Sequence, residues 1–217
     1  MIHPVLILIF SYLLGSIPWG YIIVRLTTGK NILSVGWRKT SGSNVFCHVG
    51  KWQGAIVGIL DILKGCLAVF LAQKLGGSIQ IQVLSGFFAV LGHNWSIFLK
   101  FAGGRGIGAF FGATLFLSPE VALISLIFFI LFTLILNSPI ATFLFLGSYL
   151  VFSPFFNSFY TVGALTLISL PAILFKRLSP INEILPLKEK NLIIKNRLLY
   201  DRNEKVPIKI AKFINKK

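Results

Sequence analysis

Long apolar segments separated by short polar loops make up most of this chain. The hydrophobic runs cover residues 4–26, 52–75, 80–101, 107–117, 121–136, 140–152 and 159–175. A helix needs about 20 apolar residues to cross a bilayer core, and the first three runs reach that length. The run at 107–117 is shorter, which predicts a tilted or half-depth helix. The pattern therefore predicts an all-α, polytopic membrane protein with about seven transmembrane helices.

Composition and charge agree with a membrane location and predict an orientation. Hydrophobic residues make up 55% of the chain and charged residues 12%, whereas about a quarter of the residues of a soluble domain are charged. Twelve of the 21 Lys and Arg residues follow residue 175, and most others lie in the loops at 28–51 and 100–105. Cytoplasmic loops carry an excess of Lys and Arg, so we expect the N-terminus outside and the C-terminus in the cytoplasm. The net charge of +15 comes largely from these clustered residues. Because this clustering is typical of a membrane protein, we expect no nucleic-acid partner.

The same distribution divides the chain into a transmembrane bundle over residues 1–176 and a basic cytoplasmic tail over 177–217. Tail segments at 191–199 and 206–214 mix apolar and basic residues, and we expect them to lie on the anionic inner leaflet. The apolar N-terminus lacks a basic leader and a small-residue cleavage site, which favours a retained span over a signal peptide. With only Cys47 and Cys66, we expect no disulfide framework and no zinc ligand set. We also expect no other metal and no cofactor.

A glycine-rich turn carries the strongest candidate chemistry. Gly103, Gly104, Arg105 and Gly106 open the apolar run at 107–117 and follow His93 by ten residues. Backbone N–H groups at a helix N-terminus, with a permanently charged arginine, suit a phosphate group. We therefore expect the glycine N–H groups to face an anion and Gly104 to adopt a positive φ. The alternative is a turn at the membrane surface with a snorkelling arginine.

Two other polar features interrupt the apolar pattern. The loop at 28–51 contains Arg38, Lys39, Ser43 and Asn44 without an acidic residue, so it is either an anion site or an ordinary connector. The break at 15–20 in the first span predicts a kink whose backbone groups must be satisfied inside the protein.

Asp61 and Lys64 lie within the second apolar run, three residues apart on one helix face. Charged groups inside a membrane are costly and usually face a bundle interior or a cavity. The pair is either a structural ion pair between helices or part of a functional site.

Three blocks resemble the PlsY family of bacterial membrane glycerol-3-phosphate acyltransferases: 15–21 (GSIPWGY), 60–65 (LDILKG) and 92–106, with Gly-His followed by Gly-Gly-Arg-Gly. The resemblance implies a seven-helix fold in the bacterial inner membrane, with polar motifs around a substrate groove at the inner face. It also implies acyl transfer from acyl phosphate to the sn-1 hydroxyl of glycerol 3-phosphate, with membrane lipids as the surroundings.

From these motifs we predict the following site. The catalytic candidates are Ser43, Asn44, Lys64 and His93. The phosphate-binding candidates are Gly103, Gly104, Arg105, Gly106, Arg38 and Lys39. Asp61 and Glu189 are predicted to support the site.

The chain also departs from the family pattern at positions that are usually polar. In the first loop, Trp37 replaces a serine, Arg38 and Lys39 replace glycine and asparagine, and Cys47 replaces an arginine. Ala102 stands where the family has the first lysine of its glycine-rich block. After the last span the family pattern is approximately H-x-x-N-I-x-R-L-L-x-G-x-E.

In the best register of that last block, Arg177, Pro180 and Glu183 replace the histidine, the asparagine and the arginine.

Acyl phosphate is an activated anhydride, so positioning and charge stabilisation can supply most of the catalysis. The main hypothesis is therefore an active acyltransferase. The alternative is a degenerate relative that binds phosphate or lipid without turnover and partners an active paralogue. A small transporter is a weaker third possibility, because no paired broken helices indicate inverted repeats.

Overall fold

The computed structural model describes residues 3–205, and within that range every regular element is helical. The longer helices are α1 (Pro4–Ser16), α2 (Trp19–Thr28), α3 (Gly42–His48), α4 (Lys51–Lys74), α5 (Ile79–Asn94), α6 (Ile107–Leu117), α7 (Pro119–Ile135), α8 (Ser138–Phe152), α9 (Ala164–Leu178) and α10 (Lys190–Tyr200). A π-helical turn at Phe159–Gly163 leads into α9. The predicted amphipathic run at 206–214 lies outside the described residues.

All seven predicted apolar segments are helical, which confirms the all-α membrane class. Among residues 3–205, five stretches are long and apolar enough to cross a membrane: Pro4–Thr28, Lys51–Lys74, Ile79–Leu99, Ser138–Phe156 and Phe159–Leu178. Ile107–Leu117 and Pro119–Ile135 are apolar but shorter. The number of crossings and the orientation of the termini stay predictions.

The first span is broken between α1 and α2, where Pro18 prevents a continuous helix. The carbonyl groups freed by this break are satisfied inside the protein, as expected. Lys64 of α4 donates to the Ile17 carbonyl at 3.1 Å, and Ser96 donates to the Ser16 carbonyl at 2.5 Å. The kink therefore binds α1 to α4 and to the segment after α5.

Glycines allow the helices around the kink to pack backbone against backbone. A Cβ atom at Gly65 of α4 would overlap the Ala109 carbonyl of α6, and one at Gly112 of α6 would overlap the Ile62 carbonyl of α4. The helix pair can approach this closely because neither position carries a side chain. This packing fixes the start of α6 beside the polar face of α4.

The basic segments meet at one end of the bundle. Lys176, near the end of α9, donates to the Phe101 carbonyl at 3.3 Å, and Arg38 pairs with Glu183. The predicted boundary between bundle and tail at 176/177 falls inside α9, which ends at Leu178. This division of the chain stays a prediction. The following segment folds back, so that Arg177 donates to the Leu198 carbonyl of α10 at 2.7 Å.

Candidate functional site

A basic cavity of about 550 Å³ opens at this end of the bundle. It is enclosed by the loop after α2, the glycine-rich turn, the end of α9 and the segment around α10. Seven basic and three acidic side chains line it: Arg38, Lys39, Arg105, Lys176, Arg177, Arg197, Arg202, Glu183, Asp201 and Glu204. A cavity with this excess of cations is suited to an anion such as a phosphate group.

Asn44 holds the first loop in the shape that brings Lys39 into the cavity. Its side-chain carbonyl accepts from the Trp37 N–H at 2.8 Å, and its amide donates to the carbonyls of Val35 and Lys39 at 3.1 and 2.8 Å. Asn44 is fully buried, so its geometry is that of a positioning residue. Ser43 is exposed beside it and lies 3.2 Å from the Ser41 hydroxyl.

Asp201 is the acidic group at the centre of the basic cavity. Lys39 donates to its Oδ1 at 3.3 Å, and Arg105 forms an ion pair with its Oδ2. Burial, followed by the charges of Arg105 and Lys176, lowers the pKa of Lys39 to about 6. Burial also lowers the pKa of Arg105, to about 9. Burial thus disfavours the charged forms of both side chains, although they share one carboxylate.

Arg38 is held at the rim of the cavity. Its guanidinium donates two hydrogen bonds to the Glu183 carboxylate, at 3.0 and 2.9 Å. These bonds raise the pKa of Arg38 and lower that of Glu183. Both side chains are about half exposed, at 55% and 44%, so the pair closes one edge of the cavity without being buried.

The glycine-rich turn packs on His93 more tightly than the sequence predicts. The Gly104 N–H donates to the His93 carbonyl at 3.0 Å, so this N–H cannot contribute to an anion cradle. A Cβ atom at Gly104 would overlap Nε2 of His93. The prediction of a positive φ at Gly104 was wrong, because the left-handed residue is Gly106, with φ of 76° at the start of α6. Gly104 is required for close approach instead.

A buried polar cluster lies behind this turn. Oδ1 of Asp61 is 3.1 Å from Nζ of Lys64 and 3.3 Å from Nδ1 of His93. All three side chains are at most 5% exposed. The predicted pairing of Asp61 and Lys64 on one face of α4 is confirmed, and the contact of Asp61 with His93 links α4 to α5.

A second cavity, of about 740 Å³, extends from the basic cavity along α4 and α6. Its lining includes apolar residues at Phe46, Ile62, Ile107, Phe129 and Ile173, with Ser43, Asp61 and His93 among the polar ones. The two cavities share a wall made by Trp37, Arg105, Arg177, Asp201 and Arg202. A basic compartment and an apolar compartment therefore meet at three arginines.

Several lining residues are missed by the sequence analysis, above all Lys176, Arg197 and Asp201. One signal for Arg197 exists, because 197–199 repeats the letters R-L-L of the family block whose arginine is aligned with Glu183. In space Arg197 lies 3.7 Å from the Glu183 carboxylate. Glu189 is exposed and lies outside both cavities, and its supporting role stays a prediction.

Comparison with known proteins gives one consistent result. A family model described as glycerol-3-phosphate acyltransferase matches residues 5–185. Glycerol-3-phosphate acyltransferase 1 of Dehalococcoides mccartyi is 37% identical over 90% of this chain and 99% of its own length. Glycerol-3-phosphate acyltransferase 5 of the same organism is 32% identical over 92% of this chain and 88% of its own. One organism thus carries several copies of such proteins.

Solved structures agree with these relatives. The crystal structure of PlsY, described as an integral membrane glycerol 3-phosphate acyltransferase in its glycerol 3-phosphate form, superposes with a TM-score of 0.70. It is 29% identical, and the match covers 84% of this chain and 92% of that one. A lysophosphatidic acid form of PlsY superposes with a TM-score of 0.67 at 27% identity, with the same coverage of both chains.

Proposed function

This chain belongs to the glycerol-3-phosphate acyltransferase family, and we propose that it transfers an acyl group from acyl phosphate to the sn-1 hydroxyl of glycerol 3-phosphate. The products are 1-acylglycerol 3-phosphate and inorganic phosphate. The protein is a multi-pass membrane protein, and we place its reaction at the cytoplasmic face of a bacterial inner membrane. There the water-soluble glycerol 3-phosphate meets a lipid-borne acyl donor.

The joined cavities are the observation that carries this proposal. Both substrates contain a phosphate group, and one of them also contains a long apolar chain. The basic cavity offers Lys39, Arg105 and Arg177 to phosphate oxygens, while the apolar cavity runs beside it along α4 and α6. The acyl carbonyl carbon is then positioned at the shared wall, between the compartment for charge and the compartment for the chain.

The chemistry at this wall needs charge stabilisation more than a strong base. The sn-1 oxygen forms a bond to the acyl carbon, the bond between that carbon and the bridging phosphate oxygen breaks, and phosphate leaves with the electron pair. Arg105 and Arg177 neutralise the charge that develops on the departing phosphate. The hydroxyl proton passes to the departing phosphate or to water, since phosphate is itself a competent acceptor near neutral pH.

The predicted catalytic residues enter this scheme through position. His93 and Ser43 line the apolar cavity and are assigned to the region of the reacting carbonyl. Lys64 and Asp61 hold His93 and the α1 kink in place, and Asn44 holds the loop that carries Lys39. Gly103, Gly104 and Gly106 shape the turn that presents Arg105.

The altered family positions keep positive charge in the cavity. Arg177 and Lys39 replace neutral residues or a histidine of the family pattern, and both line the basic cavity. Where the family arginine is replaced by Glu183, the guanidinium of Arg197 lies nearby. These basic side chains can still stabilise the charge of the departing phosphate, which supports an active enzyme over the degenerate alternative that binds without turnover.

Purified full-length protein in detergent, supplied with acyl phosphate and glycerol 3-phosphate, tests the proposal through the release of inorganic phosphate. Release that depends on both substrates is expected. Arg105→Ala should lower kcat/KM about a hundredfold or more, and Arg105→Lys should be milder because it keeps the charge. Arg25→Ala is the matched control, since Arg25 is an exposed arginine of α2 that lines neither cavity and donates to the Gly29 carbonyl. Binding of glycerol 3-phosphate without phosphate release would establish the degenerate alternative.

A further inference from the structure

We propose that the carboxylate of Asp201 occupies the phosphate position of the basic cavity and is displaced when a substrate phosphate binds. The inference rests on the proposed function, because it assigns a competing group to the same cavity. Asp201 follows α10 and is thus supplied by the segment that folds back over the bundle after α9.

The contacts of Asp201 are those that a phosphate group would make. Its two carboxylate oxygens divide between Lys39 of the first loop and Arg105 of the glycine-rich turn. The side chain is only 5% exposed although the adjoining Arg202 and Asn203 are exposed residues. Two oxygens of a phosphate group can accept hydrogen bonds from the same two donors, because phosphate and carboxylate oxygens both pair with lysine and arginine.

The cavity carries more positive charge than Asp201 can neutralise. Seven basic side chains and three carboxylates line it, and the Glu183 carboxylate is already paired with Arg38. Among the described residues, the Nε groups of Arg105 and Arg177 are buried without a hydrogen-bond partner. A phosphate dianion brings one more negative charge and an additional oxygen for these donors, so it competes effectively with a single carboxylate.

The way Asp201 is anchored allows its side chain to leave without unfolding α10. Apart from its carboxylate, its anchor is the N–H that donates to the Arg197 carbonyl at 2.9 Å. The turn around it is held independently, because Asn203 accepts from Arg197 Nε at 2.7 Å and from the Asn196 amide at 2.9 Å. Rotation about the Asp201 side chain therefore vacates the cavity and leaves the turn in place.

Calorimetric titration of the full-length protein in detergent with inorganic phosphate, and separately with glycerol 3-phosphate, tests the proposal. Asp201→Asn keeps the left-handed backbone (φ of 56°), which asparagine tolerates, and removes the charge. The apparent Kd of this variant for inorganic phosphate should fall about five- to tenfold if the carboxylate occupies the cavity most of the time in the parent protein. Asp201→Gly is a second variant, because glycine is favoured at this helix end and also lacks the carboxylate.

Glu120→Gln is the matched control, since it removes one negative charge from an exposed residue that lines neither cavity. It should change the Kd by less than about twofold, because exposed charges are screened. In the turnover assay, Asp201→Asn should lower the KM of whichever substrate places its phosphate between Lys39 and Arg105. Comparing the KM values of glycerol 3-phosphate and acyl phosphate identifies that substrate.

Unchanged or weaker phosphate binding in both Asp201 variants overturns the proposal, and so does equal tightening in Glu120→Gln. Failure of every variant to bind phosphate overturns it as well. The proposed function fails separately: tightened phosphate binding in Asp201→Asn with no turnover of acyl phosphate in any protein would leave Asp201 as the competitor and remove the acyltransferase activity.

Discussion

Gly104 lies between the end of α5 and the start of α6 with no room for a side chain. A methyl group there would overlap Nε2 of His93, and His93 in turn contacts Asp61. Gly104→Ala should therefore displace the imidazole from the wall of the apolar cavity and lower kcat about tenfold to a hundredfold. It should also destabilise the protein by about 1–3 kcal/mol through overpacking. Steady-state kinetics and thermal unfolding in detergent measure the two effects.

Gly147→Ala is the matched comparison at the residue scale. Gly147 lies within α8, and a Cβ atom there would meet no other atom within 4 Å. Alanine should leave turnover unchanged and stabilise the helix by up to about 1 kcal/mol. A raised KM with an unchanged kcat in Gly104→Ala would contradict the role given to His93, and would point back to a turn that binds phosphate directly.

At the scale of elements, α4 is joined to its neighbours by buried charge. Asp61 and Lys64 pair at 3.1 Å, and Lys64 also donates to the Ile17 carbonyl in the α1 break. Either single alanine substitution should cost about 3–5 kcal/mol, because it leaves the other charge buried and unpaired. Asp61→Leu combined with Lys64→Met should recover much of this stability without recovering activity, as measured by thermal unfolding and phosphate release.

Recovery of stability in the double variant should be incomplete, since the Ile17 carbonyl loses its donor. Single variants as stable as the parent would contradict the pairing. A double variant that regains full activity would make the cluster purely structural.

Most helices follow from apolar run length and from Pro and Gly positions, and most of their ends deviate by only a few residues. The exceptions are α5, which ends at Asn94 and not at residue 101, and α3, which lies within the predicted loop at 28–51. The position of α10 does not follow in this way. Its mixed apolar and basic pattern fits a membrane surface as well as it fits a protein surface, so local sequence cannot distinguish the two. Contacts between distant side chains and carbonyls fix it against the bundle: Arg197 donates to the Leu178 and Pro180 carbonyls, and Arg177 donates to the Leu198 carbonyl.

The whole molecule places its basic segments at one end, as the charge pattern requires. Cys47 is exposed at that end and lines the apolar cavity, whereas Cys66 is half-buried within α4. A membrane-impermeant thiol reagent should therefore spare intact cells and modify Cys47 once the inner face is opened. A Cys47→Ser variant should lose this labelling. Labelling of Cys47 from outside would reverse the orientation.

The candidate site shows where sequence reasoning ends at the molecular scale. The short-range motifs predict Arg105, Lys64 and His93 because each lies in a block with fixed spacing. The partner of Lys39 and Arg105 is Asp201, which is 162 residues from Lys39 and belongs to no motif. Such a contact depends on how α9 and α10 return to the first loop, and residue spacing carries no information about that path.

The buried amine of Lys39 couples substrate binding to the acidity of the surrounding water. With a pKa of about 6, only about a tenth of these amines carry a proton at pH 7 in the empty site. A phosphate dianion favours the ammonium form, so binding should take up close to one proton, and the affinity should fall by up to about tenfold per pH unit above 6. Titrations at pH 8 in buffers of different ionisation enthalpy measure this stoichiometry, and Lys39→Met should abolish it. With the proposed function and orientation, acidification of the cytoplasm would increase the supply of new acylglycerol phosphate before any change in protein amount.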